Sequence, residues 1–258
     1  MLGAAILVVG AVVSLGIDRE HPDSNLAVPT RQVTPGLVEL AAPEGERLLS
    51  KSEAHAAFLP LMAQFETQKS QKYCGLASIA MVLNALHVPA PIATFGSYRM
   101  FTQENILNAL TDSITNARNV ESGGMSLNKV AEVLSVYGAS VDMRYADPSG
   151  VDEFRKLAAD YLSKPDHHVI VNFSRSALGQ EGIGHISPLG AYDADSDRFL
   201  ILDVARYKVP PVWVTTEELF KAMAEPKGSR KVQSRGYLLI RGPSNVERGD
   251  ASTNTMRN

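Results

Sequence analysis

The stretch GHISPLGAYDADSDRFLILDV, residues 184–204, decides the fold class. Two apolar runs, 185–192 and 199–204, flank the acidic turn Asp193-Ala194-Asp195-Ser196-Asp197. Runs of this length, bounded by turn residues, predict a pair of strands. Further strands are expected at 141–145, 169–173 and 237–240. Upstream the period changes. CGLASIAMVLNAL, residues 74–86, is apolar on nearly every face and reads as a central buried helix. Helices are also expected at 52–65, with Pro60 as a kink or break, and at 103–110 behind Thr102. Three more are expected at 127–137, capped by Ser126 and ended by Gly138, at 151–162 and at 216–224. Helices first and a mostly antiparallel sheet afterwards predict the α+β class.

Composition narrows the function. The chain has 258 residues, 25 Lys+Arg against 28 Asp+Glu, and 45% apolar residues. A net charge of −3 argues against a nucleic-acid binder and against a polybasic membrane-surface protein. A single cysteine rules out an intramolecular disulfide, a Cys-rich zinc site and an iron–sulfur cluster.

The ends differ from the body. Residues 2–17 (LGAAILVVGAVVSLGI) carry no charge. They are short for a span of about 20 residues and suit the apolar part of an export signal, although no basic segment precedes them. A cleaved signal, a short anchor and a misassigned start remain open. The expectation is a periplasmic or membrane-anchored protein associated through residues 2–17, with a cytoplasmic one as the alternative. Residues 18–50 hold Pro22, Pro29, Pro35 and Pro43 without a clear period and read as a linker or extended arm. Residues 243–258 read as a flexible polar tail.

Cys74 opens the buried helix. A helix N-terminus carries about half a positive charge and free N–H donors, which favour thiolate over thiol. The alternative is an inert buried cysteine. A cysteine nucleophile needs a base and a group that orients the base. Of the six histidines, His185 stands apart, at a strand start behind Gly182-Ile183-Gly184. His167 and His168 are adjacent in a strand and point to opposite faces. Asp203 is a carboxylate in an apolar strand, where an unpaired charge is costly. A hairpin centred near Ala194 sets it opposite His185, close enough to hold the imidazole tautomer. An ion pair with a nearby arginine such as Arg206 is the other reading of Asp203. The acidic turn lacks the glycine and final glutamate of a calcium loop, so a hairpin turn is the better reading and no metal site is expected.

Several motifs now stand in order: Gln68, then Tyr73-Cys74-Gly75-Leu76-Ala77-Ser78, then Gly184-His185-Ile186-Ser187-Pro188, then Leu202-Asp203-Val204-Ala205-Arg206-Tyr207 with Pro210-Pro211-Val212-Trp213-Val214. They strongly resemble the phytochelatin synthase family, from about residue 52 to 241, in its short bacterial type. The resemblance implies a papain-like catalytic domain over residues 51–242. It also implies Cys74, His185 and Asp203 as nucleophile, base and orienter, and Gln68 as the oxyanion-hole side chain beside the backbone N–H of Cys74. The family takes glutathione, expels its glycine and forms a γ-glutamylcysteinyl thioester. The acyl group passes to water or to a second glutathione, often as a metal thiolate. No cofactor is required for acylation; cadmium or zinc enters, if at all, as the glutathione thiolate of the acceptor. Arg175 and Arg235 are candidate anchors for the substrate carboxylates, and each could equally be a surface arginine.

Plant members carry a cysteine-rich C-terminal extension that this chain lacks, so hydrolysis is expected to exceed chain building. The oligomeric state stays open between monomer and homodimer. A generic papain-like peptidase and a catalytically dead thiol- or metal-binding module are the rival functions. An arylamine-acetyltransferase-type enzyme fits poorly, because that family places its His much nearer its Cys than the 111 residues between Cys74 and His185.

Overall fold

The computed structural model describes residues 34–93, 96–225 and 235–243. Within them lie seven α-helices and a seven-stranded sheet, so the class is α+β. The chain runs β1 (Val38–Glu39), α1 (Pro43–Lys51), α2 (Phe58–Ala63), α3 (Cys74–Ala85), α4 (Ala117–Gly123), α5 (Leu127–Val136), β2 (Ser140–Tyr145) and α6 (Val151–Leu162). It continues through β3 (His167–Ser174), β4 (Gly184–Asp193), β5 (Arg198–Ile201), β6 (Val212–Thr215), α7 (Thr216–Ala224) and β7 (Gly236–Arg241). The strand order is β1-β6-β5-β4-β3-β7-β2, antiparallel throughout.

The central strands are covered on both faces, since β3 and β4 are buried at all but their first residues. One helix pair, α3 with α5, packs on β4, β2 and β7; the other, α6 with α7, packs on β3, β4 and β7. Eleven residues of α3 are buried, all but Asn84. Leu76, Ile79, Met81, Val82 and Leu83 are wholly sealed from solvent. At about 1.5–3 kcal/mol for each large side chain buried, this helix is a main support of the core. A Cβ at Gly75 would lie 3.1 Å from Met125, so the small residue lets the start of α3 sit against that side chain.

Several expectations are met closely. Helices α6 and α7 have the expected limits, and Ser126 caps α5 by accepting from the Lys129 N–H. Other expectations need correction. The linker expected up to residue 50 gives way, from residue 34 onward, to β1 and α1. Pro43 stands at the first turn of α1 with Glu44 and Glu46 behind it, an arrangement that starts a helix. Pro60 likewise sits in the first turn of α2, where its missing N–H has no helical partner to lose. No helix forms at 103–110. There Asn105 accepts from the Thr102 N–H, and Asn108 bonds the backbone of Asn105 and Leu110, so side chains compete with helical hydrogen bonds.

The decisive hairpin also differs in register. Asp193 pairs with Arg198, so the turn centres beyond Ala194, and Gly190 inserts a bulge between Leu189 and Ala191. Strand β5 then ends at Ile201, before Asp203. The Asp203 carboxylate accepts from the N–H of Ala205, 2.8 Å away, and this local bond turns the chain out of the ladder. The acidic turn is a hairpin turn, with Asp193 accepting from Ser196 N and Asp197 held by Arg155 and Thr216. Among the described residues no helix is long and apolar enough to cross a membrane. Residues 2–17 and the tail from 244 lie outside the described residues.

His168 on β3 is 1% exposed, and neither ring nitrogen has a hydrogen-bond partner. Burial pushes its pKa down to about 4. Folding therefore disfavours the protonated ring: stability from this site is complete above about pH 6.5 and is lost as the pH falls towards 4. The loss should reach about 3 kcal/mol. Urea unfolding of the wild type and His168→Leu at pH 7 and pH 4.5 tests this. The substitution should remove most of that acid sensitivity; equal sensitivity in both would refute the assignment.

Candidate active site

The sulfur of Cys74 sits at the first residue of α3, where no side chain caps the free amides. Ser78, one turn on, shares its hydroxyl proton between the carbonyl of Cys74 (2.8 Å) and that of Ile186 (3.2 Å). This bond locks the start of α3 to β4 beside His185. On the other side Phe173 is the cross-strand partner of His185, and its ring meets the imidazole edge to face at 5.6 Å.

His185 Nε2 lies 2.8 Å from Asp203 Oδ1 and 2.9 Å from Ser187 Oγ. Facing a carboxylate, Nε2 carries the hydrogen, which leaves Nδ1 for the Cys74 thiol, a hydrogen-bond partner of the ring. Asp203 Oδ1 accepts three bonds, from His185, from Arg175 Nη2 at 2.9 Å and from the Ala205 N–H at 2.8 Å. Oδ2 is buried without a partner. The ladder does not bring Asp203 to His185, as the hairpin reading expected; the turn after β5 does. The arginine paired with Asp203 is Arg175, and Arg206 instead donates to Thr67 Oγ1 at 2.7 Å and lies over the Phe65 ring.

Electrostatics follow from these contacts. Burial pushes the Asp203 carboxyl up, but the His185 and Arg175 charges and bonds more than offset it and hold the pKa at about 2. Burial pushes the His185 ring down, and Asp203 and Cys74 more than reverse that, so its pKa is raised. Burial raises the Cys74 thiol, yet the bond to His185, its charge and the Ile186 and Gly75 backbone lower it overall. A thiol below its ordinary range beside an imidazole above its own favours a thiolate–imidazolium pair, the state that attacks acyl carbon.

The pair opens into a cleft of about 430 Å³. Gln68, Arg175 and Arg235 also line it, so five of the six residues singled out in the sequence reach one cavity, with Asp203 buried behind His185. The Gln68 side chain is 2.7 Å from the Tyr207 hydroxyl through Nε2, and its Oε1 is buried without a partner. Arg175 differs from its expected setting. It is 4% exposed, and its guanidinium is engaged by Asp203 and by Gln180 Oε1 at 2.7 Å. Arg235 is equally buried and donates to the Glu225 carbonyl at 2.6 Å. Asn172, Ser187 and Tyr207 join the site without having been singled out. Their motifs were visible, but their partners depend on register and turn geometry. Among the described residues no group of three or more His, Cys, Asp or Glu side chains could hold a metal ion.

With the geometry established, the comparisons with known proteins bear directly on it. The family profile described as phytochelatin synthase matches residues 28–237. Glutathione gamma-glutamylcysteinyltransferase 1 of Lotus japonicus is 34% identical over 213 residues, 81% of this chain and 41% of that protein. The Arabidopsis thaliana protein of the same name is 33% identical over 81% of this chain and 43% of its own length. Glutathione gamma-glutamylcysteinyltransferase of Schizosaccharomyces pombe is 30% identical over 71% of this chain. The chain spans under half the length of these curated relatives. The chain belongs to the phytochelatin synthase family.

The thiolate–imidazolium pair should show itself without any substrate. Iodoacetamide should alkylate Cys74 readily at pH 7, below the ordinary thiol pKa of about 8.5. In His185→Ala the pH midpoint of alkylation should rise, because burial of the thiol is then opposed only by the Ile186 and Gly75 backbone. A midpoint unchanged by His185→Ala would show that the ring does not activate the sulfur.

Proposed function

We propose that this member of the phytochelatin synthase family is a papain-like cysteine acyltransferase acting on glutathione. The observation that carries the reading is the Cys74–His185–Asp203 alignment at the head of a cleft sized for a tripeptide, with buried arginines on its wall.

Cys74 Sγ attacks the carbonyl carbon of the cysteinyl–glycine peptide bond while His185 Nδ1 holds the thiol proton. The carbonyl oxygen becomes an oxyanion, met by the Cys74 backbone N–H and the Gln68 amide. The Gln68 amide turned end for end keeps its Tyr207 bond, with the hydroxyl donating to Oε1, and sets its NH₂ at the position now unpartnered. The C–N bond then breaks, His185 gives its proton to the departing amine, and glycine leaves. A γ-glutamylcysteinyl thioester remains on Cys74. Water, or the α-amine of a second glutathione, attacks that thioester and restores the thiol. The products are γ-Glu-Cys or (γ-Glu-Cys)₂-Gly. Cadmium or zinc enters only as a glutathione thiolate in the second step.

Arg175 neutralises Asp203, so the substrate carboxylates fall to Arg235 with the cleft-lining Lys72 and Lys208. The catalytic domain of this reading begins at β1 rather than at residue 51.

Mass spectrometry after mixing with glutathione tests the mechanism. The wild type should carry a γ-glutamylcysteinyl adduct on Cys74, and Cys74→Ser should carry none. Gln68→Ala should slow adduct formation by about 10²–10³-fold. Glycine release should proceed without added metal, and the share of polymer should rise with glutathione concentration, since the second glutathione competes with water at about 55 M through positioning alone. Full glycine release by Cys74→Ser would overturn the reading.

A further inference from the structure

We propose that Gln103 is a positioning residue that fixes Gln68 relative to Cys74, and so sets the geometry of oxyanion stabilisation. This rests on the reading of Gln68 as an oxyanion donor.

Gln103 is 4% exposed and stands 35 residues beyond Gln68, in the turns that replace the helix expected there. Its Oε1 accepts from the Lys69 N–H at 2.8 Å. Its Nε2 donates to the Thr67 carbonyl at 3.0 Å and to Glu66 Oε1 at 2.6 Å. The two peptide groups that flank Gln68 are thus held by one side-chain amide, in the way a neighbouring strand would hold them. The N–H of Gln68 itself goes elsewhere, to the Val204 carbonyl at 2.9 Å, next to Asp203. Residue 68 is therefore tied on one side to the turn that carries the orienting carboxylate and on the other to Gln103.

Gln103 has its own anchor. Asn84 Oδ1 accepts from the Phe101 N–H at 2.9 Å, and Asn84 Nδ2 donates to the Phe101 carbonyl at 2.9 Å. Asn84 is the one residue of α3 that is not buried, and α3 carries Cys74 at its other end. Two amide clamps in series, Asn84 on Phe101 and Gln103 on residues 67 and 69, connect the helix that holds the sulfur to the segment that holds the donor. Such a link matters because an oxyanion donor works only at hydrogen-bond distance from an oxygen whose place the sulfur dictates, and a displacement of about 1 Å costs about 10²-fold in rate.

The test compares Gln103→Met, which keeps side-chain volume and removes the amide, in the wild-type and Gln68→Ala backgrounds of the full chain. Two acylation readouts are used: glycine release from glutathione, and acylation of Cys74 by p-nitrophenyl acetate, which needs no glutathione site. Gln103→Met should lower both rates about 10- to 100-fold with KM for glutathione within about twofold. Iodoacetamide alkylation, which forms no oxyanion, should stay within about twofold and so report that the fold and the Cys74–His185 pair are intact. In the Gln68→Ala background the same substitution should cost less than about twofold, because its route of action is already gone. Equal losses in both backgrounds, a change confined to KM, or alkylation falling as far as acylation would overturn the proposal. So would an unchanged acylation rate in Gln68→Ala. A wild type that is acylated by the ester yet releases no glycine would refute glutathione as substrate, and the ester arm would still decide the role of Gln103.

Discussion

A charged carboxylate oxygen sealed inside the protein is the constraint around which this molecule is arranged. Asp203 is 1% exposed, and its Oδ1 gathers His185, Arg175 and the Ala205 N–H. Each donor comes from a different part of the fold: β4, the residue just after β3, and the turn after β5. Burying such an ion is expensive, and the attraction of its partners repays the cost only when the geometry is good. Removing one partner of a buried pair leaves the other charge stranded, at a cost of about 3–5 kcal/mol. The carboxylate therefore holds the imidazole in place and is itself held by the guanidinium. Orientation of the imidazole and integrity of this corner of the fold are one requirement.

That requirement explains the fate of Arg175. The family resemblance makes it a candidate substrate anchor, and it does line the cleft. Yet its guanidinium donates to Asp203 and Gln180, both within the protein. Arg175 also lowers the affinity of His185 for its proton, against the pull of Asp203. Burial and Arg175 push the ring down, Asp203 and Cys74 push it up, and the result lies on the side of a raised pKa. In the proposed reaction an imidazole that held its proton too firmly could not deliver it to a departing amine, so under that proposal the positive neighbour would have a chemical use as well as a structural one.

How much was legible in the sequence depended on which interactions were local. Helices α5, α6 and α7 follow from their own caps and apolar spacing, and were found with nearly the observed limits. The buried character of α3 was equally plain. Failures occurred where one residue type serves two structures. Pro43 starts α1 but also occurs in linkers; Asn105 and Asn108 sit at helical spacing but bond backbone instead. The cavity brings Cys74, His185, Gln68 and both arginines together, and Asp203 does meet His185, though for a different reason than the one expected. A bulge at Gly190 and an early end to β5 are not encoded by alternation, because the period of a strand says nothing of its register against a neighbour.

Much of the rest of the site is built from neutral amides and hydroxyls rather than further charges. Ser78, Asn84, Gln103 and Ser187 bond backbone carbonyls or N–H groups across elements, Ser187 by accepting from the Val204 N–H. Each such bond contributes only about 1 kcal/mol net, but leaving a buried partner unmade costs about 1–3 kcal/mol. Displaced arrangements are therefore penalised more than the observed one is favoured. Apolar packing sets how closely a sheet and a helix approach, and a carbonyl bonded to one hydroxyl adds a directional constraint on their register. The sulfur of Cys74, the imidazole of His185 and the amide of Gln68 stand on three separate segments, α3, β4 and the loop before α3. Polar bonds between those segments add directional constraints to the close packing of the core, and the two together fix the distances among the three groups.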